Sequence, residues 1–293
     1  MFHIVLMLQT VLMRRAKLNH LFFHKQATPH ILLTTSLTNF YSLKIQTLFI
    51  LNKHLWSEEG IKMSISGDKT SVVVAGATGL IGHHVMKLLI DEPAVDHIYA
   101  LSRRALDSQF DSNKLHTLIH SDLQVTSWDD TNATPNLGVI CLGTTKKKAG
   151  SKEALRKIDV ELVSQVAQSM KFLGVQRVAV VSSYGASPDS YSHYLRCKGQ
   201  MEQNLKRIGF KQLFIARPGP LVGERDEPRA DEKLLQSVFP LLSPFMLGKF
   251  KNLRPIQSED VAKAMLFRLF ENNFQNIEIY SSSDMLNLLA KYR

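Results

Sequence analysis

The chain has 293 residues, of which 44% are apolar, with 15 Gly, 10 Pro and two Cys. This composition excludes a collagen-like or wholly disordered chain, and two cysteines are too few for a disulfide framework or a four-cysteine zinc site. The net charge of +10 is uneven, because residues 1–62 contribute +5 and the other 231 residues contribute +5. The body of the chain is therefore only mildly basic. Two cysteines also favour a reducing compartment, so we expect a cytoplasmic protein.

The first sixty residues differ in composition from the rest, with no acidic residue before Glu58 and no glycine before Gly60. We interpret residues 1–62 as a basic extension that is not part of the fold, and we place the domain at 68–293. Residues 31–51 have the length of a membrane span, but their Thr, Ser and Lys content argues against membrane association. A basic, acid-poor segment is also typical of a mitochondrial transit peptide, and that alternative remains open.

From Ser71 onwards, short apolar runs alternate with longer segments of helical periodicity. The predicted strands are 71–75, 97–101, 115–120, 137–142, 177–181 and 212–216. The predicted helices run from a glycine-rich turn to Pro93, over 151–173 and over 194–208. This alternation predicts an α/β fold with a doubly wound parallel sheet and right-handed crossovers. About seventy residues follow position 223, and there we expect a small C-terminal cap.

The glycine-rich turn lies between the first strand and the first helix and reads Gly76-Ala77-Thr78-Gly79-Leu80-Ile81-Gly82. The first glycine suits a tight turn, the second lets the backbone approach a pyrophosphate, and the third lets helix and strand pack closely. A pyrophosphate would then lie at the positive N-terminus of the helix. We therefore expect dinucleotide contacts at the six positions Gly76, Thr78, Gly79, Leu80, Ile81 and Gly82.

Two arginines, Arg103 and Arg104, follow the second predicted strand about twenty residues after the glycine turn. An NAD site has Asp or Glu at this position, which binds the ribose 2′-hydroxyl. Two guanidinium groups instead suit a 2′-phosphate, because they match its charge and bind it in a bidentate way. The sequence therefore favours NADP(H) over NAD(H).

Tyr194 and Lys198 form a YxxxK pair within a predicted helix, and a spacing of four places both side chains on one face. Lys198 could then stabilise the phenolate of Tyr194, which tunes the tyrosine for proton transfer near neutral pH. Ser182 and Ser183 end the fifth predicted strand, and a serine there could hydrogen-bond a substrate carbonyl. We favour Ser183 and leave Ser182 open, because one residue of strand register decides between them.

These motifs resemble the short-chain dehydrogenase/reductase superfamily, and most of all its atypical and extended branches, which carry GATGLIG in the glycine turn. The resemblance covers roughly Thr70–Val261 and implies a Rossmann-type fold. It also implies further cofactor contacts at Asp122, Leu123, Leu142, Gly143, Thr144, Lys198 and Pro218. A narrower resemblance, carried by Tyr194–Glu202 and Arg217–Gly223, is to the Tat-interacting tumour-suppressor type and its bacterial oxidoreductase-like relatives. The family often has an Asn on the helix after the fourth strand, where this chain has Asp159.

Other sequence features favour no further ligand. The lysine cluster at 146–148 has no interleaved aromatic residues and no nucleic-acid-binding motif, so we interpret it as a solvated surface. The histidines show no metal-ligand spacing, and we expect no metal. Neither Cys141 nor Cys197 has the Asn neighbour that a semialdehyde-dehydrogenase nucleophile would need.

The sequence therefore predicts an NADPH-dependent oxidoreductase, with Tyr194, Lys198 and Ser183 as catalytic residues and a small carbonyl compound as substrate. A non-catalytic NADPH-binding regulatory protein is the main alternative, and a nucleotide-sugar epimerase-like isomerase is a third. We expect no nucleic-acid partner, and a homodimer remains open.

Overall fold

The computed structural model describes residues 70–129, 131–144, 146–222, 252, 255–271 and 275–291. The predicted basic extension, residues 1–62, lies outside this part of the chain. So do residues 223–251, which hold most of the predicted cap. Both assignments therefore stay predictions.

Seven strands form one fully parallel sheet, with the order β3-β2-β1-β4-β5-β6-β9. Their bounds are β1 Thr70–Ala75, β2 Val95–Ser102, β3 Leu115–Ile119, β4 Leu137–Ile140, β5 Arg177–Val181, β6 Gln212–Arg217 and β9 Ile277–Ser281. Two short strands, β7 (Leu221–Val222) and β8 (Ile256–Gln257), pair separately. The Rossmann-type parallel sheet predicted from the sequence is confirmed, and six of its seven strands fall within two residues of the predicted bounds.

Helices cover both faces of the sheet. Their bounds are α1 Leu80–Asp91, α2 Lys146–Ala149, α3 Lys152–Arg156, α4 Val163–Phe172, α5 His193–Ile208, α6 Ser258–Phe270 and α7 Ser282–Ala290. Helices α1, α6 and α7 pack on the face that carries Val72 and Val74, whereas α4 and α5 pack on the face that carries Val73 and Ala75. Because β1 is covered on both sides, its side chains from Val72 to Ala75 are fully buried, as its Val-rich sequence predicts.

The predicted helix over 151–173 is not continuous. A π-helical segment, Lys157–Leu162, separates α3 from α4. A π segment inserts an extra residue into the turn, so it changes which side chains face inward, and such segments are frequent at functional sites. Asp159 lies in this segment and is fully buried. Helical periodicity alone therefore gave the wrong local structure at this position.

A buried polar network joins α6 and β9 at the amino edge of the sheet, the edge where the strands begin. Arg268 donates hydrogen bonds from Nε and Nη2 to the two carboxylate oxygens of Glu278, at 2.8 and 2.5 Å. Gln212, the first residue of β6, donates to the Arg268 carbonyl and accepts from Arg177 Nε. This amino-edge network therefore ties α6 and the edge strand β9 to β5 and β6. Within the described ranges, no helix is long and apolar enough to cross a membrane.

Candidate functional site

The predicted site residues gather at the carboxyl edge of the sheet, where all seven strands end. The strand order reverses between β1 and β4, which are neighbours with helices leaving on opposite faces. In open α/β sheets, ligands bind in the crevice outside such a switch point. The loops after β1, β2, β4, β5 and β6 meet at this edge, so the fold brings together segments that are far apart in sequence.

The glycine turn has the close backbone contacts that the sequence predicts. Gly76 has a φ of +90°, and a Cβ atom there would lie 2.8 Å from the carbonyl carbon of Cys141 in the loop after β4. A Cβ atom on Gly82 would lie 1.9 Å from the Gly76 oxygen. Side chains at these positions would therefore push apart the turn, α1 and the end of β4.

The N-terminus of α1 is suited to an anion. Gly79 is the N-cap residue and provides no side-chain hydrogen bond, and the first turn of α1 carries no acidic residue. The first amides of a helix have no intrahelical acceptor, and they attract negative charge. Thr78 is exposed and can present its hydroxyl, whereas Ile81 is buried in the core, so only the Ile81 backbone could contact a ligand. The turn thus fits a dinucleotide pyrophosphate.

Arg103 and Arg104 are both exposed and directly follow β2. Leu101 pairs in register with Ala75, the last residue of β1, so the two arginines emerge beside the glycine turn. On the far side of β2, Asp122 is exposed after β3, but the side chain of Leu123 packs into the core with a φ of +54°. Of these two predicted cofactor contacts, Asp122 presents its side chain at the surface and Leu123 does not.

Lys198 lies at the centre of the candidate site, and its side chain is only 3% exposed. Its Nζ atom lies 2.8 Å from Oδ1 of Asp159 in the π segment. Tyr194, one turn earlier on α5, is half-buried against Leu155, Val160 and Cys197. Burial by itself lowers the pKa of Lys198, but Asp159, Tyr194 and Glu202 outweigh it, so the pKa lies above its ordinary 10.5. Lys198 is therefore a buried ammonium at physiological pH.

The loop after β4 connects the glycine turn to this ammonium. Gly143 faces the Asp159–Lys198 pair, and a Cβ atom there would lie 3.1 Å from Lys198 Nζ and 3.3 Å from Asp159 Oδ1. The same loop begins at Cys141, whose carbonyl contacts Gly76. This loop therefore lies between the glycine turn and Lys198, and it carries the predicted cofactor contacts Leu142, Gly143 and Thr144.

Glu202 organises the residues after β5 and β6. It is buried on α5, one turn beyond Lys198, and accepts a 2.5 Å hydrogen bond from Ser182 Oγ. It also accepts from Nε and Nη2 of Arg217, at 2.9 and 2.5 Å, and this bidentate contact raises the pKa of Arg217. The Ser182 hydroxyl is therefore engaged by Glu202, whereas Ser183 is half-buried and stays the predicted substrate contact.

The backbone of Pro218 links the segment after β6 to the loop after β5. Its side chain is buried, and its carbonyl accepts a 2.8 Å hydrogen bond from the amide of Tyr184. The next residue, Gly219, donates its amide to Ser282 Oγ at 2.9 Å. The segment after β6 is thus fixed to the loop after β5 and to the start of α7.

Neither cysteine has the properties of a nucleophile. Burial raises the pKa of the Cys141 thiol to about 12. Burial also raises the pKa of Cys197, and nearby Asp159 raises it further. A thiol acts as a nucleophile in its thiolate form. Because a raised pKa keeps both thiols protonated, neither side chain is reactive at neutral pH. In the described ranges, no three His, Cys, Asp or Glu side chains form a cluster that could hold a metal ion.

Sequence reasoning missed three residues that shape the site. Asp159 was noted only as a departure from the family Asn, and its contact with Lys198 spans 39 positions. Glu202 continues the spacing of four from Tyr194 and Lys198, a signal that could have indicated it. Gly199 follows Lys198, and a Cβ atom there would lie 2.2 Å from the backbone of Ser187, so this glycine lets the loop after β5 lie against α5.

Comparison with solved structures defines the class of fold. A UDP-glucuronic acid 4-epimerase from Bacillus cereus, solved in complex with NAD, superimposes with a TM-score of 0.53 at 13% identity, over 76% of this chain and 83% of that one. Together with the strand order, this likeness shows a Rossmann-type α/β fold. The narrower resemblance to the Tat-interacting type stays a prediction.

Comparison with sequences defines the family. Residues 113–248 match the HIM1 family model. The chain is 33% identical to Protein FMP52, mitochondrial, of Candida albicans over 202 residues, which is 67% of this chain and 86% of that protein. It is 31% identical to Protein FMP52, mitochondrial, of Saccharomyces cerevisiae over 222 residues, 74% of this chain and 96% of that protein. This chain belongs to the FMP52 family. Since these relatives are named as mitochondrial proteins, the expectation of a cytoplasmic location was wrong, and the small number of cysteines was too weak a signal of compartment.

Proposed function

We propose that this protein is a mitochondrial NADPH-dependent reductase that converts a small carbonyl compound to an alcohol. The observation that carries the proposal is the position of Lys198. Its buried ammonium lies on the same helix face as Tyr194 and against Gly143, in the loop that also backs the glycine turn. This arrangement supports a nicotinamide beside Tyr194 when the pyrophosphate lies at the N-terminus of α1.

The chain's own residues bind the reactants and move one proton. The bound cofactor would supply a hydride from nicotinamide C4 to the carbonyl carbon. Tyr194 donates its phenolic proton to the carbonyl oxygen, which completes the alcohol, and solvent returns a proton to the phenolate. The Lys198 ammonium stabilises that phenolate and binds the ribose, and Ser183 orients the carbonyl through a hydrogen bond. General acid catalysis of this kind contributes about 10²- to 10⁴-fold to a rate.

A substitution that removes one hydroxyl tests the catalytic role. Tyr194→Phe should lower turnover by about 10²- to 10⁴-fold and leave NADPH affinity nearly unchanged. Tyr191→Phe is the matched control, because Tyr191 is fully exposed three residues earlier and should keep full turnover. The assay is NADPH oxidation over a panel of aldehydes and ketones. A wild-type protein that binds NADPH but reduces no member of the panel would favour the regulatory alternative.

The choice of NADPH over NADH is supported by Arg103 and Arg104, which are exposed beside the glycine turn. The double variant Arg103→Ala/Arg104→Ala should weaken NADPH binding at least tenfold and leave NADH binding nearly unchanged, as measured by calorimetry. Arg207→Ala is the control for loss of positive charge. Arg207 is also exposed, and it lies in the last turn of α5, at the opposite end of that helix from Tyr194. Tighter binding of NADH by the wild-type protein would contradict this choice.

The mitochondrial location is supported by the names of the FMP52 relatives and by the basic, acid-poor composition of residues 1–62. Cell fractionation of the tagged full chain, beside a chain that starts at Met63, tests it. Full-length protein outside the mitochondrial fraction would contradict the location.

A further inference from the structure

The ion pair between Asp159 and Lys198 is a departure from the family pattern at the centre of the candidate site. The resemblance leads us to expect a neutral Asn on this helix, and the chain instead has a carboxylate. That carboxylate is fully buried, and its Oδ1 lies 2.8 Å from Lys198 Nζ. A neutral side chain could not counter the charge of a buried ammonium at this distance, whereas a carboxylate does.

Stability alone does not account for a carboxylate here. Across the described ranges, neither oxygen of Asp159 has a hydrogen-bond partner besides the Lys198 ammonium, which lies 2.8 Å from Oδ1. A buried ion pair stabilises a fold only when further hydrogen bonds satisfy its remaining polar atoms. The Arg268–Glu278 pair meets that condition, since Glu278 Oε1 also accepts from the amide of Gln275. The Asp159 pair does not, which points to a role in the site rather than in folding.

The surroundings of Lys198 show what Asp159 contributes. Helix α5 presents Tyr194 and Glu202 to it, and Cys197 is adjacent; the loop after β4 presents Gly143, which carries no charge. Glu202 is already bound to Ser182 and Arg217. Asp159 is therefore the carboxylate in direct contact with the ammonium and free of a competing cation, as far as the described residues extend.

We propose that Asp159 is a positioning residue, whose carboxylate holds the Lys198 ammonium against Gly143 in the loop after β4 and keeps it protonated beside Tyr194. This inference rests on the proposed reductase function, because it assigns Asp159 to the same site. In this role Asp159 acts through Lys198 and does not itself touch the substrate. The π segment supplies the local geometry, since it carries Asp159 inward between α3 and α4.

The first test observes Lys198 directly and needs no turnover. Nitrogen-15 NMR of the lysine ammonium groups follows the pH at which Lys198 loses its proton, with Lys198→Arg used to assign its signal. In the wild-type protein the signal should persist above pH 10.5, the ordinary lysine value. Asp159→Asn keeps the size of the side chain and removes its charge. In this variant the pH at which Lys198 loses its proton, the Lys198 transition, should fall by at least one unit. An unchanged transition would overturn the proposal.

A matched variant separates positioning from stability. Glu278→Gln removes an equally buried, ion-paired carboxylate at the amino edge, and it should lower the melting temperature without moving the Lys198 transition. Asp159→Glu, which restores the charge, should recover most of the wild-type transition. If Asp159→Asn does not fold, the wild-type titration decides, because loss of the Lys198 proton below pH 10.5, the ordinary lysine value, would refute a lysine held charged by its partner.

Turnover provides the second test. In Asp159→Asn the alkaline limb of kcat/KM for carbonyl reduction should move to lower pH together with the NMR transition, while Glu278→Gln keeps the wild-type limb. An alkaline limb that stays in place while the NMR transition moves would overturn the positioning role. Failure of the proposed function would give a different result from failure of this inference. The wild-type protein would then show no turnover, while the pH at which Lys198 loses its proton would still depend on Asp159.

Discussion

The substitution Gly82→Ala tests whether the backbone of the glycine turn is as closely packed as the structure has it. The new Cβ would lie 1.9 Å from the Gly76 oxygen, and real contacts of this kind essentially never fall below 3.0 Å, so the turn must open by at least 1.1 Å. Alanine is otherwise favoured over glycine within a helix by about 1 kcal/mol. Overpacking of a close-packed site costs about 1–3 kcal/mol, and we take the upper part of that range, about 2–3 kcal/mol, because the clash is with backbone that has no alternative rotamer. The net expectation is a loss of about 1–2 kcal/mol in the free energy of unfolding.

The assays for this variant are thermal unfolding and NADPH titration. A loss of about 1–2 kcal/mol corresponds to a fall of about 2–8 °C in Tm for a domain of this size. One lost hydrogen bond to a charged phosphate costs about 1.5–3 kcal/mol, so the NADPH dissociation constant should rise about tenfold to a hundredfold. Gly209→Ala is the control, because its φ is +73° with no atom within 4 Å of the new Cβ, so it should lose stability but not NADPH affinity. A more stable Gly82→Ala protein with unchanged affinity would refute the reasoning.

Three further predictions concern other parts of the chain. Glu202→Ala leaves the Arg217 guanidinium unpaired and should lower the free energy of unfolding by about 3 kcal/mol in urea titrations, with Glu202→Gln losing less. Cys141 and Cys197 should not react with DTNB at neutral pH until the protein is denatured, because burial raises the pKa of both thiols; rapid native labelling would contradict this. A chain that starts at Met63 should keep the Tm and NADPH affinity of the full chain, and loss of folding would show that residues 1–62 pack on the domain.

The sheet could be predicted because most of its strands are short apolar runs bounded by turns. Strand β9 was missed because its pattern is inverted: Ile277 and Ile279 are 43% and 38% exposed, whereas Glu278 between them is buried. Glu278 can be buried because Arg268 of α6 pairs with it, a contact between separate elements that periodicity does not record. In such an edge strand the alternation of apolar and polar residues is present, but it marks the wrong face as buried.

The candidate site was predictable where its residues are close in sequence, and less so where they meet across the fold. The glycine turn and the Tyr194–Lys198 spacing are local patterns. The pairing of Lys198 with Asp159 depends on the π segment and on the packing of two helices. Likewise, the hydrogen bond from the Ser182 hydroxyl to Glu202 joins residues 20 positions apart, and the sequence left the choice between Ser182 and Ser183 open.

The amino-edge network and the candidate site lie at opposite ends of the same strands. Arg268, Glu278 and Gln212 hold the end of the sheet where strands begin, and the glycine turn and Lys198 lie where strands finish. Changes that strengthen or repack the amino edge can therefore alter the melting temperature of the protein without moving a group that meets the cofactor. This edge is therefore the place to introduce stabilising substitutions if the protein is to be crystallised with a bound nucleotide.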